Sequence, residues 1–471
     1  MADQHAALVT AKPSVIVLGG GISGISAAIN LLDQGYRVML VEARSFLGGR
    51  AFSFVDSDTG VTVDNGQHVI VGCCTYFIEF VKRLGVWEKW YLQPKLHLRI
   101  ADRQGKEGVL KSGGLPPPFH LFPLFRLFPL FPSFLTYSHL NRGEKIQVLL
   151  ALARARFTDR CRPDLELLSF YHWLKQHGQS ERAIQNFWNL LVKPTLNDDV
   201  QDVSASMGLM IVQEGLLNGY HNLDLGYAVD GLLASIGGPA REHLLNRGGR
   251  LMLGSPVKRM LIDSYRMSGV ELASGELVTG DLWVSALPPD ILRRVLPEDV
   301  VKAVPVFSRL AGLETSPIVN IHLFYDRLVM DGEFLAIVDS PLQWVFNKGR
   351  ILEGSASITA GGQNICISVS AAWDYIDRTR EEISAAFIQE MEQVFPAARD
   401  ARVLRSLVIK QRHATFRCLP GANRLRPASV TPISNLFLAG EWTDTGWPST
   451  MESAVRSGYN AARAIESKES V

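Results

Sequence analysis

The sequence predicts a two-domain α/β (α+β) protein, with a nucleotide-binding domain assembled from separated stretches of chain and a second domain of mixed β-sheet plus helices. Three observations predict it. Gly19, Gly21 and Gly24 form a turn between a short apolar run and an Ala-rich helical pattern, Glu42 closes the next apolar run, and a second strand, glycine turn and long helix occupy 436–466. The 471 residues suit two or three domains, and 47% hydrophobic with 20% charged residues excludes a chain disordered throughout. A formal charge of +1 lacks the basic excess of a nucleic-acid binder, so a small or apolar partner is expected.

Five cysteines, with Cys73 and Cys74 adjacent and Cys161, Cys366 and Cys418 scattered, make neither a disulfide framework nor a paired zinc spacing. No metal site is expected, and a reducing cytoplasm is the expected compartment. The first residues, MADQHAALVTAKPS, show no basic stretch followed by a long apolar one, so no secretory signal is expected. Nowhere do about 18 apolar residues run unbroken, which argues against a membrane-spanning helix.

Ser14, Val15, Ile16, Val17 and Leu18 read as a strand, followed by the glycine turn and a helix to Gln34. Arg37 to Val41 reads as a second strand ending at Glu42, which completes a right-handed βαβ unit. Each residue of the turn has a reason. Gly19 permits the tight bend, Gly21 lets backbone approach a pyrophosphate, Gly24 lets helix pack on strand, and Ile22 and Ser23 offer free N–H groups at the helix start. Glu42 is placed to accept from ribose hydroxyls. Together these predict a Rossmann-like dinucleotide site.

Residues 115–140 differ from their surroundings. Phe119, Phe122, Phe125, Phe128, Phe131 and Phe134 recur every third residue, with Leu between them and Pro123, Pro129 and Pro132 inserted. Prolines this dense forbid a long helix or a central strand. Two readings stay open: a proline-stapled core loop, or an apolar segment that contacts a membrane or admits substrate. From Lys145 to Leu217 the pattern is helical; 251–286 reads as short strands, 317–370 as further strands, and 378–395 as an amphipathic helix. No internal repeat is visible.

Beyond Glu42 the chain runs Ala43, Arg44, Ser45, Phe46, Leu47, Gly48, Gly49, Arg50, Ala51, Phe52, Ser53. This Glu-x-Arg-x-x-x-Gly-Gly-Arg-x-x-Ser pattern resembles the amine-oxidase and carotenoid-desaturase group of FAD flavoproteins. Guanidinium forks on Arg44 and Arg50 suit a pyrophosphate. The resemblance extends to Gly440 and Glu441 before the turn to the last helix, and implies that Glu441 faces the pyrophosphate and ribityl region, with Thr450 and Met451 N–H groups toward the flavin pyrimidine. It also implies that Val257 meets adenine. FAD is thus the expected cofactor, with its domain at 1–95, 226–304 and 411–471 and the substrate domain at 96–225 and 305–410.

Asp64, Asn65, Gly66, Gln67, His68, Val69 and the Gly440 to Pro448 segment narrow the resemblance to the squalene-associated branch of the phytoene-desaturase-like flavoproteins, the hydroxysqualene dehydroxylases. That implies reductive removal of the allylic hydroxyl of hydroxysqualene to give squalene, recharged by an unidentified reductant. His68 is the expected acid and Asp64 its tuning partner, the bland alternative being that both only hydrogen-bond backbone or flavin. Tyr227, Asp230 and Trp344 are placed near the pocket without a role. A peripheral position on the inner membrane face is inferred from 115–140. Glu441 in place of Asp, Trp447 in the turn, and Cys73 with Cys74 depart from the pattern. Two other readings compete: a carotenoid-type desaturase or amine-oxidase-like oxidase, and a prenyl-lipid carrier resembling the Rab GDP-dissociation inhibitors, for which the purified protein would be colourless.

Overall fold

The computed structural model describes residues 12–113, 129–352 and 361–469. Five parallel strands lie in the order Arg250–Met252, Arg37–Val41, Ser14–Leu18, Leu282–Ser285 and Leu436–Leu438. Parallel strands covered on both faces need apolar side chains on both, and Val15, Ile16, Val17 and Leu18 are all buried. Helices Ile22–Asp33 and Met451–Glu469 pack against each other in the core on one face. They come so close that a Cβ on Gly458 would lie 2.3 Å from the Ser23 carbonyl oxygen, while the Ser26 hydroxyl donates to the Val455 carbonyl at 2.9 Å. The two ends of the chain therefore close one layer.

Seven strands make the second sheet, in the order Val403–Phe416, Thr315–Tyr325, Gln363–Ser370, Trp344–Asn347, Phe334–Ile337, His97–Ala101 and Glu107–Lys111. All neighbours are antiparallel except Phe334–Ile337 with His97–Ala101. Alternation sorts its side chains. Val319, Ile321, Leu323, Val345, Ile365 and Ile367 share a core with helix Arg380–Val394, whose start is fixed by a capping box between Thr379 and Glu382. The opposite face carries Asn320, His322, Phe346, Cys366 and Ser368.

The expected boundary between 410 and 411 falls inside a strand. Val403–Phe416 keeps its pairing with Thr315–Tyr325 as far as Thr315 opposite Phe416, so the substrate-side sheet extends past it. Within 115–140, Leu130, Phe134, Tyr137 and Leu140 are buried around the short helix Phe131–Thr136, so this part packs as core. Phe119, Phe122, Phe125 and Phe128 lie outside the described residues. Among the described residues no helix is long and apolar enough to cross a membrane, and no group of three or more His, Cys, Asp or Glu is placed to hold a metal.

Candidate functional site

At the carboxyl end of strand Ser14–Leu18 the backbone leaves no room for side chains. Gly19 has φ of 105°, and a Cβ on Gly24 would sit 1.9 Å from the Gly19 carbonyl oxygen. Helix Ile22–Asp33 starts at Gly21 with no side-chain cap and no acid in its first turn, so its positive end stays uncompensated and suits an anionic ligand. A second glycine turn touches the first. The Gly48 N–H donates to the Gly20 carbonyl at 2.9 Å, and a Cβ on Gly49 would come 2.8 Å from the Gly21 Cα.

Glu42 stands at the rim, its carboxylate accepting from the N–H groups of Gly20 at 2.6 Å and Arg44 at 2.8 Å. Across Ala43, the Glu42 and Arg44 carbonyls accept from Ser255 and Gly254 N–H, each at 2.8 Å, which brings the start of strand Val257–Asp263 beside the ribose acid. The two arginines differ in use. Arg44 donates to the Gly49 carbonyl at 2.9 Å and packs on the Phe46 and Phe52 rings, so it braces the glycine turn. Arg50 spans the mouth, donating to the Ala414 carbonyl at 2.6 Å and pairing with Glu441 at 2.5 Å.

The turn after Gly440 is held from below by the buried Arg426, whose Nη2 donates to the carbonyls of Thr443 at 2.5 Å, Trp447 at 2.8 Å and Glu441 at 3.3 Å. Three backbone acceptors on one guanidinium fix a loop that has no regular structure of its own. Thr450 then starts helix Met451–Glu469, its hydroxyl accepting from the Ser453 N–H at 3.2 Å. The glycine cradle, the open helix start and the rim acid fit a dinucleotide.

Residues 64–68 are stitched to this rim and to the second sheet. Asn65 donates to the Arg50 carbonyl at 3.0 Å, while Asn320 donates to the Asn65 carbonyl at 3.2 Å and Gln411 to its side-chain oxygen at 2.9 Å. Beneath the loop the Lys348 ammonium is buried, donating to Asp64 at 3.0 Å and Gln67 at 2.8 Å. Asp64 also accepts from the Ser53 hydroxyl at 2.7 Å and the Leu232 N–H at 3.0 Å. Burial works to raise its carboxyl, but Lys348 with these two donors more than offsets that and holds it below the usual range.

His68 is half-buried, with Nδ1 3.3 Å from the Gly66 carbonyl. Burial depresses its imidazole, Lys348 and Arg50 assist, and the Gly66 carbonyl and Asp64 only partly oppose them. The hydrogen-bonded cation of Asp64 is Lys348, and the Asp64 charge also acts on His68, opposing the depression of its imidazole.

Aromatic rings border the loop on the second-sheet side. Trp344 and Phe346 stack with centroids 6.0 Å apart, Phe334 lies 6.2 Å from Phe346, and Tyr227, paired opposite Val69, lies 5.3 Å from Tyr91. Phe346 is two residues before Lys348.

A family model of flavin containing amine oxidoreductases matches residues 22–466. The chain belongs to that family. Curated relatives include the 15-cis-phytoene desaturase of Synechococcus elongatus, 28% identical over 466 residues that cover 96% of this chain and 95% of that protein. The zeta-carotene desaturase of Synechocystis is 26% identical, covering 96% of each. Among solved structures, an oxidoreductase from Methanosarcina mazei superposes with TM-score 0.73 at 16% identity, covering 96% of this chain and 100% of that one. A putrescine oxidase bound to putrescine superposes with TM-score 0.69 at 17% identity, covering 97% and 99%. These two likenesses concern the fold.

In this flavin-containing amine oxidoreductase a flavin on a dinucleotide cradle is FAD. Gly19, Gly21, Ile22, Ser23, Gly24, Glu42, Ala43, Gly48, Gly49, Arg50 and Glu441 gather at one mouth, with Val257 beside Glu42 and Thr450 and Met451 at the start of the last helix. Arg44 stands apart as a brace. Tyr227 and Trp344 belong to the aromatic border, whereas Asp230 pairs with Lys89 at 2.9 Å and has a half-exposed side chain. The sequence reading missed Lys348, Gln67 and Arg426. Lys348 directly follows strand Trp344–Asn347 and begins the short helix Lys348–Ile351, and the apolar Trp344, Val345 and Phe346 just before it are the local signal near it. A surface cleft of about 860 Å³ opens beside the loop of residues 64–68, lined by Phe52, Phe54, Asn65 and Gln411 together with Arg380, Ser384 and Lys410.

Proposed function

We propose that this FAD enzyme exchanges hydride with an apolar isoprenoid, removing the allylic hydroxyl of hydroxysqualene to leave squalene and water. The observation that carries this reading is the aromatic border of Trp344, Phe346, Phe334, Tyr227 and Tyr91 beside residues 64–68, with Asp64 and Lys348 withdrawn behind the loop and paired to each other. Such a wall suits a hydrocarbon and shelters a delocalised cation from water, with ring faces turned to positive charge. FAD, when bound, supplies the hydride exchange, and each turnover in the reductive direction then requires an external two-electron reductant. Gly21, Gly49, Arg50, Glu42 and Glu441 hold the cofactor; residues 64–68 form the protein side of the reacting face. His68 is the acid of this reading. Since burial keeps its proton affinity low, turnover should rise as pH falls below about 6.5, the ordinary imidazole value, and His68→Ala should flatten that profile while keeping flavin.

The names of the relatives favour a second reading, desaturation of a carotenoid-type polyene, in which hydride leaves the substrate. One experiment separates the two. The purified protein is reduced anaerobically, hydroxysqualene is added in detergent, and flavin reoxidation is followed with squalene by gas chromatography–mass spectrometry. Squalene in proportion to reoxidised flavin supports dehydroxylation. Flavin that stays reduced without squalene, in folded protein whose oxidised form is bleached by phytoene, supports desaturation.

A further inference from the structure

Two routes lead from the loop of residues 64–68 to one polar pair in the aromatic border, Tyr227 and Glu333. Past His68 the chain enters strand Val69–Val71, where Val69 lies opposite Tyr227, and Tyr227 in turn lies opposite Tyr91. Residues directly opposite across antiparallel strands point to one face. On that face Tyr227 is 4% exposed, between Val69 and Tyr91 at 37% each. On the second route Lys348 donates to Gln67, and its neighbour Asn347 fixes the turn before strand Phe334–Ile337. The Asn347 N–H donates to the Glu333 carbonyl at 2.8 Å, and its side-chain amide to the Gly332 carbonyl at 3.0 Å. The routes meet where the Tyr227 hydroxyl donates to the Glu333 carboxylate. Phe334, the next residue, begins the aromatic wall, its ring 6.4 Å from that of Trp344.

Glu333 is a carboxylate without a cation. Arg99, whose guanidinium would touch a Cβ on Gly332, pairs with Glu107 at 2.8 Å, and among the described residues no ion pair neutralises Glu333. Burial first, and then the Glu333 charge, push the Tyr227 and Tyr91 phenols up, so both stay protonated and able to donate. A bare hydrocarbon laid along this wall strips water from the carboxylate and offers no donor in return. A chain that carries one hydroxyl group supplies that donor. We infer that Glu333, oriented by Tyr227, accepts from the hydroxyl group of the substrate and selects a hydroxylated isoprenoid over a bare hydrocarbon. This rests on the reading of the site as an isoprenoid site and names the group that sets its specificity. Glu333 touches the substrate, and Tyr227 is its positioning residue.

The test is equilibrium binding to the oxidised, flavin-loaded full chain in detergent, where the reductive step cannot run. Flavin absorbance is followed on titration with hydroxysqualene and, separately, with squalene. Wild type should bind hydroxysqualene about tenfold more tightly, the worth of one hydrogen bond to a charged group. Glu333→Met should abolish that preference and bind squalene at least as tightly as wild type, because the desolvated charge is gone; structural damage would weaken both ligands. Tyr227→Phe should cut the preference roughly threefold with squalene affinity unchanged, and it reads the proposal should Glu333→Met lose its flavin. Wild type without the preference overturns the inference, as does a Glu333→Met protein that keeps it or a variant that loses both ligands equally. Wild type that binds neither ligand overturns it together with the isoprenoid reading beneath it. Otherwise the two fail separately. A preference intact in an enzyme that yields no squalene when reduced leaves the hydroxyl subsite standing, whereas squalene formed without any binding preference removes the subsite alone.

Discussion

Replacing Lys348 by Met removes one charge from the centre of the protein and leaves the other. The Lys348 and Asp64 side chains are 2% and 5% exposed, with Nζ 3.0 Å from the carboxylate. At an effective dielectric of about 20, a pair at this distance attracts by roughly 5 kcal/mol, offset in part by the cost of burying both ions. Without the ammonium, Asp64 keeps the Ser53 hydroxyl and the Leu232 N–H, two of its three compensating donors. The expected destabilisation is therefore near the lower end of the range for breaking a buried pair, about 3 kcal/mol. Adding Asp64→Asn removes the orphaned charge and should recover about 2 kcal/mol of that loss as a coupling term. The assay is urea unfolding of the flavin-loaded protein followed by circular dichroism at neutral pH. Repeating it in acid gives the sign. The depressed Asp64 carboxyl stabilises the fold above its unfolded value of about 4 and loses that contribution as pH falls through the lower folded value, so wild type and Lys348→Met should converge in acid. A single variant within about 0.5 kcal/mol of wild type, or a double variant no more stable than the single, would refute the reasoning.

Other outcomes follow from the same geometry. Gly24→Ala places a Cβ 1.9 Å from the Gly19 carbonyl oxygen, so the purified variant should lose most of its flavin absorbance; stoichiometric flavin would contradict the close helix packing. His322 is held neutral, burial first and then Lys348 pushing it down to about 4. Its contribution is present above the unfolded value of about 6.5 and is lost as pH falls toward the folded one, roughly 3 kcal/mol in all. Wild type should therefore lose correspondingly more stability than His322→Gln between pH 7.5 and about 4, and equal losses would rule out a buried neutral ring. Among the cysteines, Cys161 is exposed, whereas burial pushes the Cys366 and Cys418 thiols up to about 11 and about 12. Iodoacetamide at neutral pH should label Cys161 first and these two only on unfolding, as mass spectrometry of peptides would show.

The cradle was legible because its demands are local. Gly19, Gly21, Gly24, Gly48 and Gly49 are dictated by backbone that touches backbone within a few residues, and Glu42 by its place at the end of a strand, so spacing alone exposes them. Helix Arg380–Val394 was legible through its one-sided pattern and its cap. Helix Arg142–Phe157 shows why a pattern can be present and its meaning hidden: apolar residues run round it, and only packing separates the buried Val148 side from the exposed Ile146 side. The boundary at 410 was missed because the strand continues past its apolar Leu407 to Ile409 through the polar and charged Lys410 to His413, which are held by their neighbour's register rather than by their own composition.

Lys348 marks the limit. It stands 284 positions from Asp64, and no spacing rule joins a lysine just past strand Trp344–Asn347 to the aspartate that ends strand Thr62–Asp64. The same holds for Arg50 with Glu441 and for Arg426 beneath the last glycine turn. By itself the sequence determined the cofactor, the parallel sheet and the ends of its helices, because steric and hydrogen-bond rules along the chain act within a turn or a strand. Which charges meet in the interior, which face of a helix stays bare and what borders the reacting loop were decided only when distant segments packed, since desolvation is a property of the surroundings and not of the residue.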